Sequence, residues 1–213
     1  MKWSRFPLII MLIVASGLGY QVWHKKSSPS SIQHTQSLLS GTYIASNRTL
    51  PTFTLTTHRD HPFTNENLNH HWSFVFFGYT RCPELCPRTL GIMRSLSQQL
   101  GAASHTQFVL MSIDPENDTQ DYLKTYFNQP DYQHLPFIGV TGEAHQIQTL
   151  AQTLGIFVEE GGVPADQSHL EHSGTLLLFN PQGKLTALFN NPDDPKRLAR
   201  DFQKVLQLEG DRI

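Results

Sequence analysis

The chain has 213 residues, a formal net charge of −2 and only two cysteines. Its length allows one ordinary domain with an appendage, its near-neutral charge argues against a nucleic-acid binder, and its 13 phenylalanines exclude a mostly disordered chain. Two cysteines can form neither a disulfide framework nor a four-cysteine zinc site.

The N-terminal segment has the composition of a membrane anchor. An apolar run begins at Phe6 and continues to Trp23, and basic residues flank it on both sides. Trp3 and Trp23 are twenty residues apart, which in a helix matches the hydrocarbon thickness of a bilayer. We therefore predict a transmembrane anchor at residues 1–26. A cleaved signal peptide, with its apolar core at 8–15, is the alternative.

Residues 27–47 are rich in Ser, Thr, Gln and His and poor in large apolar side chains. This composition predicts a flexible tether that would let the following domain reach a membrane-bound partner. A poorly ordered terminus fits the same composition. Because no second long apolar run follows, residues 48–213 are predicted to form one domain on one side of the membrane.

The remainder alternates between strand and helix patterns and predicts an α/β domain. Apolar or alternating runs predict strands at 53–57, 73–79, 107–113, 136–140, 175–179 and 185–189. Helical spacing of apolar residues predicts helices at 87–100, 119–127, 143–154 and 195–208. Asp118 or Thr119 is expected to cap the second helix and Thr141 the third. This order predicts parallel central strands, a terminal antiparallel hairpin and helices covering the sheet.

The residues that carry chemistry are Cys82 and Cys86, which follow a predicted buried strand and open a helix. Their four-residue spacing places them on one side of a helical turn, close enough for a shared metal or a disulfide. Free N–H groups at a helix start favour thiolates and lower thiol pKa values. Two ordinary buried cysteines are the alternative. Two sulfurs alone are an incomplete site for a copper ion, whether Cu(I) or Cu(II). The imidazole of a histidine is a suitable third ligand.

Asp114 follows the next predicted strand, so we expect it to lie beside the cysteine turn, at the carboxyl edge of the sheet. It could orient a ligand or tune a thiol, and a turn or cap before Pro115 is an equally good interpretation. Met93 and Met111 fall on core faces and are interpreted as packing residues.

The cysteine motif FGYTRCPELCP, at residues 77–87, resembles the central motif of the Sco/SenC family of copper-handling proteins of cytochrome c oxidase assembly. SIDPENDT at 112–119, LEHS at 170–173 and NPQG at 180–183 are similar to later blocks of that family. The resemblance extends from Leu50 to Leu206 in the family's order. Two acidic residues depart from the family pattern, since Glu84 and Glu171 stand where Asp is common.

The resemblance implies a thioredoxin-like fold and one copper ion bound by Cys82, Cys86 and His172. It also implies that Cys82 and Cys86 form a redox-active disulfide pair. Family members deliver copper to the Cu(A) centre of cytochrome c oxidase subunit II, or reduce the cysteines that receive it. Together with the predicted anchor, this implies a single-pass inner-membrane protein whose domain lies on the periplasmic, outer side.

Other functions stay open on the sequence. A thiol–disulfide reductase acting on exported cysteine pairs would need both cysteines but not His172. A peroxide-reducing protein would need a low-pKa cysteine in a peroxide pocket, and the sequence favours it only through the shared strand–Cys–helix layout. A passive redox or copper sensor is a further alternative. His169 and His172 form an H-x-x-H pattern, but Gly, Pro and Ser around it favour a loop in which His169 is solvated.

Overall fold

The computed structural model describes residues 35–44, 50–101, 105–156 and 174–211. The predicted anchor at 1–26 lies outside these ranges, as do His169, Glu171 and His172. Across the ranges described, we find no helix with the length and apolar character that spanning a membrane requires.

Nine strands form a single sheet within the described ranges, in the order β1-β2-β9-β8-β5-β6-β7-β3-β4. The strands are β1 Thr35–Ser37, β2 Gly41–Ile44, β3 Thr54–Thr57, β4 Pro62–Thr64, β5 Trp72–Gly78, β6 Thr106–Ser112, β7 Phe137–Thr141, β8 Leu176–Phe179 and β9 Leu185–Phe189. The helices are α1 Leu85–Leu100, α2 Gln120–Phe127, α3 Ala144–Thr153 and α4 Pro195–Gly210, with a 3₁₀ turn at Asn65–Leu68.

The predicted strand directions are confirmed. Strands β5, β6 and β7 run parallel, and β8 and β9 form an antiparallel hairpin in which β8 pairs with β5. Gly78 pairs with Ser112, so β5 and β6 end at the same edge of the sheet. Leu176 pairs with Phe76, so β8 begins at that edge, and the three chain segments meet there.

Aromatic side chains fill one face of the sheet. Phe74, Phe108 and Phe137 pair in register across three strands, and neighbouring rings stack with centroids 5.3 and 5.6 Å apart. Phe202 of α4 packs on Phe74 at 5.4 Å, and Phe127 of α2 packs on Phe137 at 6.0 Å. Because strand side chains alternate, the neighbouring residues Val75 and Phe77 face the opposite side.

That opposite face is also apolar. Val75, Phe77 and Met111 lie there with Leu150 of α3 around one shared apolar space. Met111 and Met93 are both buried, which confirms their interpretation as packing residues.

The predicted tether is wrong for residues 35–44. These residues form β1, the edge strand of the sheet, and β2, which lies between β1 and β9 and pairs with both. The pairing satisfies the backbone groups of β9 and buries Tyr43, which is 2% exposed. The polar composition of residues 35–44 did not indicate strands, because a strand at the edge of a sheet needs few apolar side chains. The sheet accordingly includes residues 35–44, which precede the predicted domain start at residue 48.

The helix caps differ in part from those predicted. Thr119 caps α2 by accepting the N–H of Tyr122 at 3.3 Å, which confirms one of the two candidates. Glu143 caps α3 by accepting the N–H groups of His145 and Gln146. The prediction of Thr141 was wrong because that residue is the last of β7 and precedes the cap by two positions.

Candidate metal centre

The structure brings Cys82 and Cys86 together at the carboxyl end of β5. Cys82 lies in the turn after the strand and Cys86 in the first turn of α1, and both are free thiols less than 5% exposed. The backbone N–H of Cys86 donates to Sγ of Cys82 at 3.4 Å. The N-cap residue Glu84 makes no side-chain cap bond, so the sulfur of Cys82 accepts an amide at the helix start that otherwise has no partner within the helix.

Burial raises the pKa of the Cys86 thiol well above its ordinary value. A hydrogen bond with the backbone of Tyr79 opposes the shift, and the neighbouring Cys82 increases it. The expectation that the helix start lowers thiol pKa values is therefore wrong for Cys86. Its sulfur is in a site that excludes water, and its own N–H points at the other sulfur.

Tyr79 is a further buried polar group beside the thiols. Burial raises its pKa to about 12, and proximity to Cys82 and Cys86 adds to the shift. The phenol therefore keeps its proton at neutral pH, and it is near enough to both sulfurs to interact with them.

Asp114 lies beside the cysteine turn, as predicted. Its Oδ2 accepts a hydrogen bond from Nη2 of Arg81 at 2.7 Å, and its Oδ1 accepts one from Nδ2 of Asn117 at 2.8 Å. The N–H of Ile113 donates to the carbonyl of Gly78 at 2.9 Å and joins the two strand ends. Asp114 thus connects the residue before Cys82 to the segment after β6.

Asp118 is a site residue that sequence reasoning treated only as a helix cap. Its fully buried carboxylate accepts the N–H of Thr80 at 3.0 Å and the hydroxyl of Ser112 at 2.7 Å through Oδ2, and the hydroxyl of Thr80 through Oδ1. The sequence feature that could have pointed to Asp118 was its place in the SIDPENDT block, four residues after Asp114. The spacing does not reveal the partner, because Thr80 lies 38 residues earlier.

His172 and Glu171 lie outside the described residues, but the chain directly after them is described. A Cβ placed on Gly174 would lie 3.0 Å from Cδ1 of Leu85, the residue between Glu84 and Cys86. The segment that follows His172 therefore contacts the cysteine helix at its first residue. Among the residues whose positions are described, no three His, Cys, Asp or Glu side chains converge on a metal position.

The chain is similar to proteins of one family over most of its length. Residues 42–207 match the SCO1/SenC family. A protein of Stutzerimonas stutzeri named for copper binding is 39% identical over 165 residues, which cover 76% of this chain and 79% of that protein. The mitochondrial protein SCO2 of Saccharomyces cerevisiae is 32% identical over 158 residues, or 72% of this chain. The aligned region makes up about half of the length of that yeast protein, 52%.

Solved structures share the fold. Arabidopsis thaliana ScoI with copper bound superimposes with a TM-score of 0.64 at 21% identity, covering 75% of this chain and 98% of that one. BsSco superimposes with a TM-score of 0.62 at 21% identity, covering 83% and 99%. BsSco is described as having a disulfide switch and as a member of the Sco family of cytochrome c oxidase assembly proteins.

These similarities confirm the predicted α/β thioredoxin-like fold for the described part of the chain. The family match begins inside β2 and ends in α4, so it includes the cysteine turn and both segments that contact it. Sequence, fold and site agree, and the chain belongs to the SCO1/SenC family.

Proposed function

We propose that this protein binds one copper ion through Cys82, Cys86 and His172 and delivers it to the Cu(A) centre of cytochrome c oxidase subunit II. The observation that carries the proposal is the buried pair of free thiols, joined by the 3.4 Å contact between the N–H of Cys86 and Sγ of Cys82. Family membership and the copper named for several relatives support it.

The donor set suits copper as cargo. Thiolate sulfur is a soft ligand that selects Cu(I), and imidazole suits copper in either oxidation state, Cu(I) or Cu(II). Each thiol that binds the ion loses its proton, so two Cu–S bonds release up to two protons and affinity rises with pH. Three protein ligands leave a coordination position for a ligand of the receiving protein, as transfer by ligand exchange requires.

The position of Gly174 supports His172 as the third ligand. His172 precedes Gly174 by two residues, and two residues of extended chain span at most about 7 Å. Gly174 lies against Leu85, which keeps the chain that leads to His172 near the cysteine helix and supports the imidazole as the third ligand. Glu171, adjacent to it, supplies a carboxylate that could accept a hydrogen bond from the imidazole.

The proposed setting is a membrane surface. We place the predicted anchor at residues 1–26 in the inner membrane, with a single pass and the copper domain on the periplasmic side. The support is the apolar run with tryptophans at both ends. An anchor of this kind would hold the domain near a membrane-embedded oxidase.

A thiol–disulfide reductase is the second candidate. The close pair of free thiols favours it, as does the disulfide switch described for the related BsSco. In this case the pair would reduce the cysteines of the Cu(A) site rather than fill that site with metal. The two functions share Cys82 and Cys86 and differ in their need for His172.

The test is a copper titration of the full-length, reduced protein in detergent. We expect one copper per chain with thiolate-to-copper absorption, weakened or abolished in His172→Ala and unchanged in His169→Ala. The two histidines occur in one H-x-x-H segment, so the second variant controls for a change in that segment. If His172→Ala binds copper as the wild type does and reduces model disulfides well, the reductase replaces the copper carrier.

A further inference from the structure

We infer that Asp118 is a positioning residue for the Cys82–Cys86 pair, because its buried carboxylate fixes Thr80 and thereby the turn that carries Cys82. This inference rests on the proposed use of the two thiols. It gives the carboxylate a role that the sequence had suggested for Asp114.

The contacts of Asp118 with Thr80 restrain both the position and the orientation of that residue. Thr80 donates its backbone N–H to Oδ2 at 3.0 Å and its hydroxyl to Oδ1. A third bond, from the hydroxyl of Ser112 at 2.7 Å, holds the carboxylate itself against the last residue of β6. The backbone of Asp118 is fixed as well, since its N–H donates to the carbonyl of Asp114 at 2.8 Å. Thr80 is therefore tied to a rigid part of the sheet.

The other contacts of the turn that carries Cys82 are weaker. The N–H of Cys82 donates to the carbonyl of Tyr79 at 3.4 Å, at the long end of the hydrogen-bond range. The neighbouring Arg81 binds Asp114, but its side chain is 52% exposed, so solvent and salt screen that ion pair. Asp118 is fully buried, and hydrogen bonds to a charged group in a dry site are the stronger kind. Asp118 is thus the stronger restraint on the turn, and it acts through Thr80, two residues before Cys82.

A fixed turn matters for reversible chemistry at the two sulfurs. With glutathione disulfide as oxidant, Cys82 and Cys86 lose two electrons and two protons and form one S–S bond. The S–S bond of glutathione disulfide breaks and yields two glutathione thiols. Holding the cysteine thiols close raises their effective concentration and favours the protein disulfide. A loosened turn should therefore make the protein disulfide easier to reduce.

The experiment measures the midpoint potential of the Cys82–Cys86 couple in glutathione buffers with the full-length protein. For Asp118→Ala we expect the equilibrium constant for disulfide formation to fall about tenfold, which moves the potential about 30 mV in the positive direction. Asp118→Asn should stay close to the wild type. The amide oxygen of this variant can accept hydrogen bonds from the backbone N–H of Thr80 and the hydroxyl of Ser112. Its amide nitrogen can donate one to the hydroxyl of Thr80. If Asp118→Asn shifts as far as Asp118→Ala, charge rather than position is the cause and the inference fails.

Two further variants separate positioning from general stability. Asp201→Ala removes another buried carboxylate, one that accepts two backbone N–H groups far from the cysteines in sequence. It should destabilise the fold and leave the potential unchanged, and an equal shift would overturn the inference. If Asp118→Ala does not fold, Thr80→Val, rescued by Thr80→Ser, takes its place. A wild type that binds no copper defeats the proposed function, whereas an unshifted Asp118→Ala or Thr80→Val defeats only this inference.

Discussion

Gly78, the last residue of β5, lies directly against the sulfur of Cys86. A Cβ placed on Gly78 would come within 3.0 Å of that Sγ and within 2.5 Å of Cε1 of Phe76. The backbone of the central strand therefore forms one wall of the thiol site. The sulfur is held between this wall and the first turn of α1, which accounts for its burial.

Gly78→Ala should disturb the site from the strand side. Because the new methyl group has no free space, we expect Cys86 to shift and copper affinity to fall about tenfold or more. The overpacking should also cost about 1–3 kcal/mol in the free energy of unfolding. Copper competition titrations and urea unfolding measure the two effects.

Gly91→Ala provides the matched control for this substitution. Gly91 lies in α1, and a Cβ there meets no atom within 4 Å. Alanine should bind copper normally and stabilise the helix by up to about 1 kcal/mol. Unchanged copper affinity in Gly78→Ala would show that the strand does not limit the position of the sulfur.

Gly174→Ala tests whether the segment after His172 has to approach the cysteine helix closely. The added Cβ would lie 2.2 Å from Oδ1 of Asn191 and 3.0 Å from Cδ1 of Leu85. We expect weaker copper binding because the chain after His172 moves outward, together with a dithiol potential like that of the wild type. Asn191→Gly should restore copper affinity, since it removes the closest atom and suits the positive φ of 45° at that position. A failure of this rescue would argue against steric displacement.

His58 should make the fold sensitive to acid. Its Nδ1 accepts the N–H of Gly139 at 2.9 Å, and its ring lies 5.2 Å from the ring of Phe127. Burial, and then the charge of Arg59, lower its pKa. The unfolded chain therefore binds a proton more readily than the folded one. The contribution of His58 to stability is complete above the unfolded pKa of about 6.5 and is lost as pH falls toward the folded pKa.

Urea unfolding at about pH 7.5 and about pH 5.5 measures this contribution, which changes by at most about 1.4 kcal/mol per pH unit. His58→Asn is the informative variant, since an amide oxygen can accept the same N–H without titrating in this range. We expect it to lose part of the acid sensitivity of the wild type. An identical pH dependence in both proteins would contradict the role assigned to His58.

Asp201 should fasten the N-terminal hairpin to the domain. Its two carboxylate oxygens accept the N–H groups of Leu39 and Ser40 at 2.8 and 2.6 Å, and the carboxylate is buried. Asp201→Ala should lower the free energy of unfolding by about 2–4 kcal/mol, because hydrogen bonds to charged groups are the costly ones to lose. Limited proteolysis should then cut within residues 35–44, whereas the exposed control Asp193→Ala should resist cleavage. Equal resistance in both variants would refute this assignment.

The sequence by itself determined the central strands, the apolar faces of the four helices and the adjacent cysteines. These features follow from local rules. A buried strand such as β5 is a continuous apolar run, a helix face repeats every three to four residues, and a four-residue spacing brings two side chains to one side of a helical turn. The sequence also predicted that Asp114 lies beside the cysteine turn, since neighbouring parallel strands end at the same edge of a sheet.

Only the tertiary structure decided which polar residues are buried and why. Strands β1 and β2 exist because β9 offers them an edge, and their own composition resembles a tether. In the sequence Asp118 looks like a helix cap and Asp201 like an ordinary helix acid, yet each accepts hydrogen bonds from residues 38 or more positions away. The helix start that should have lowered the pKa of Cys86 was outweighed by burial. Burial depends on long-range packing, which local sequence patterns do not encode.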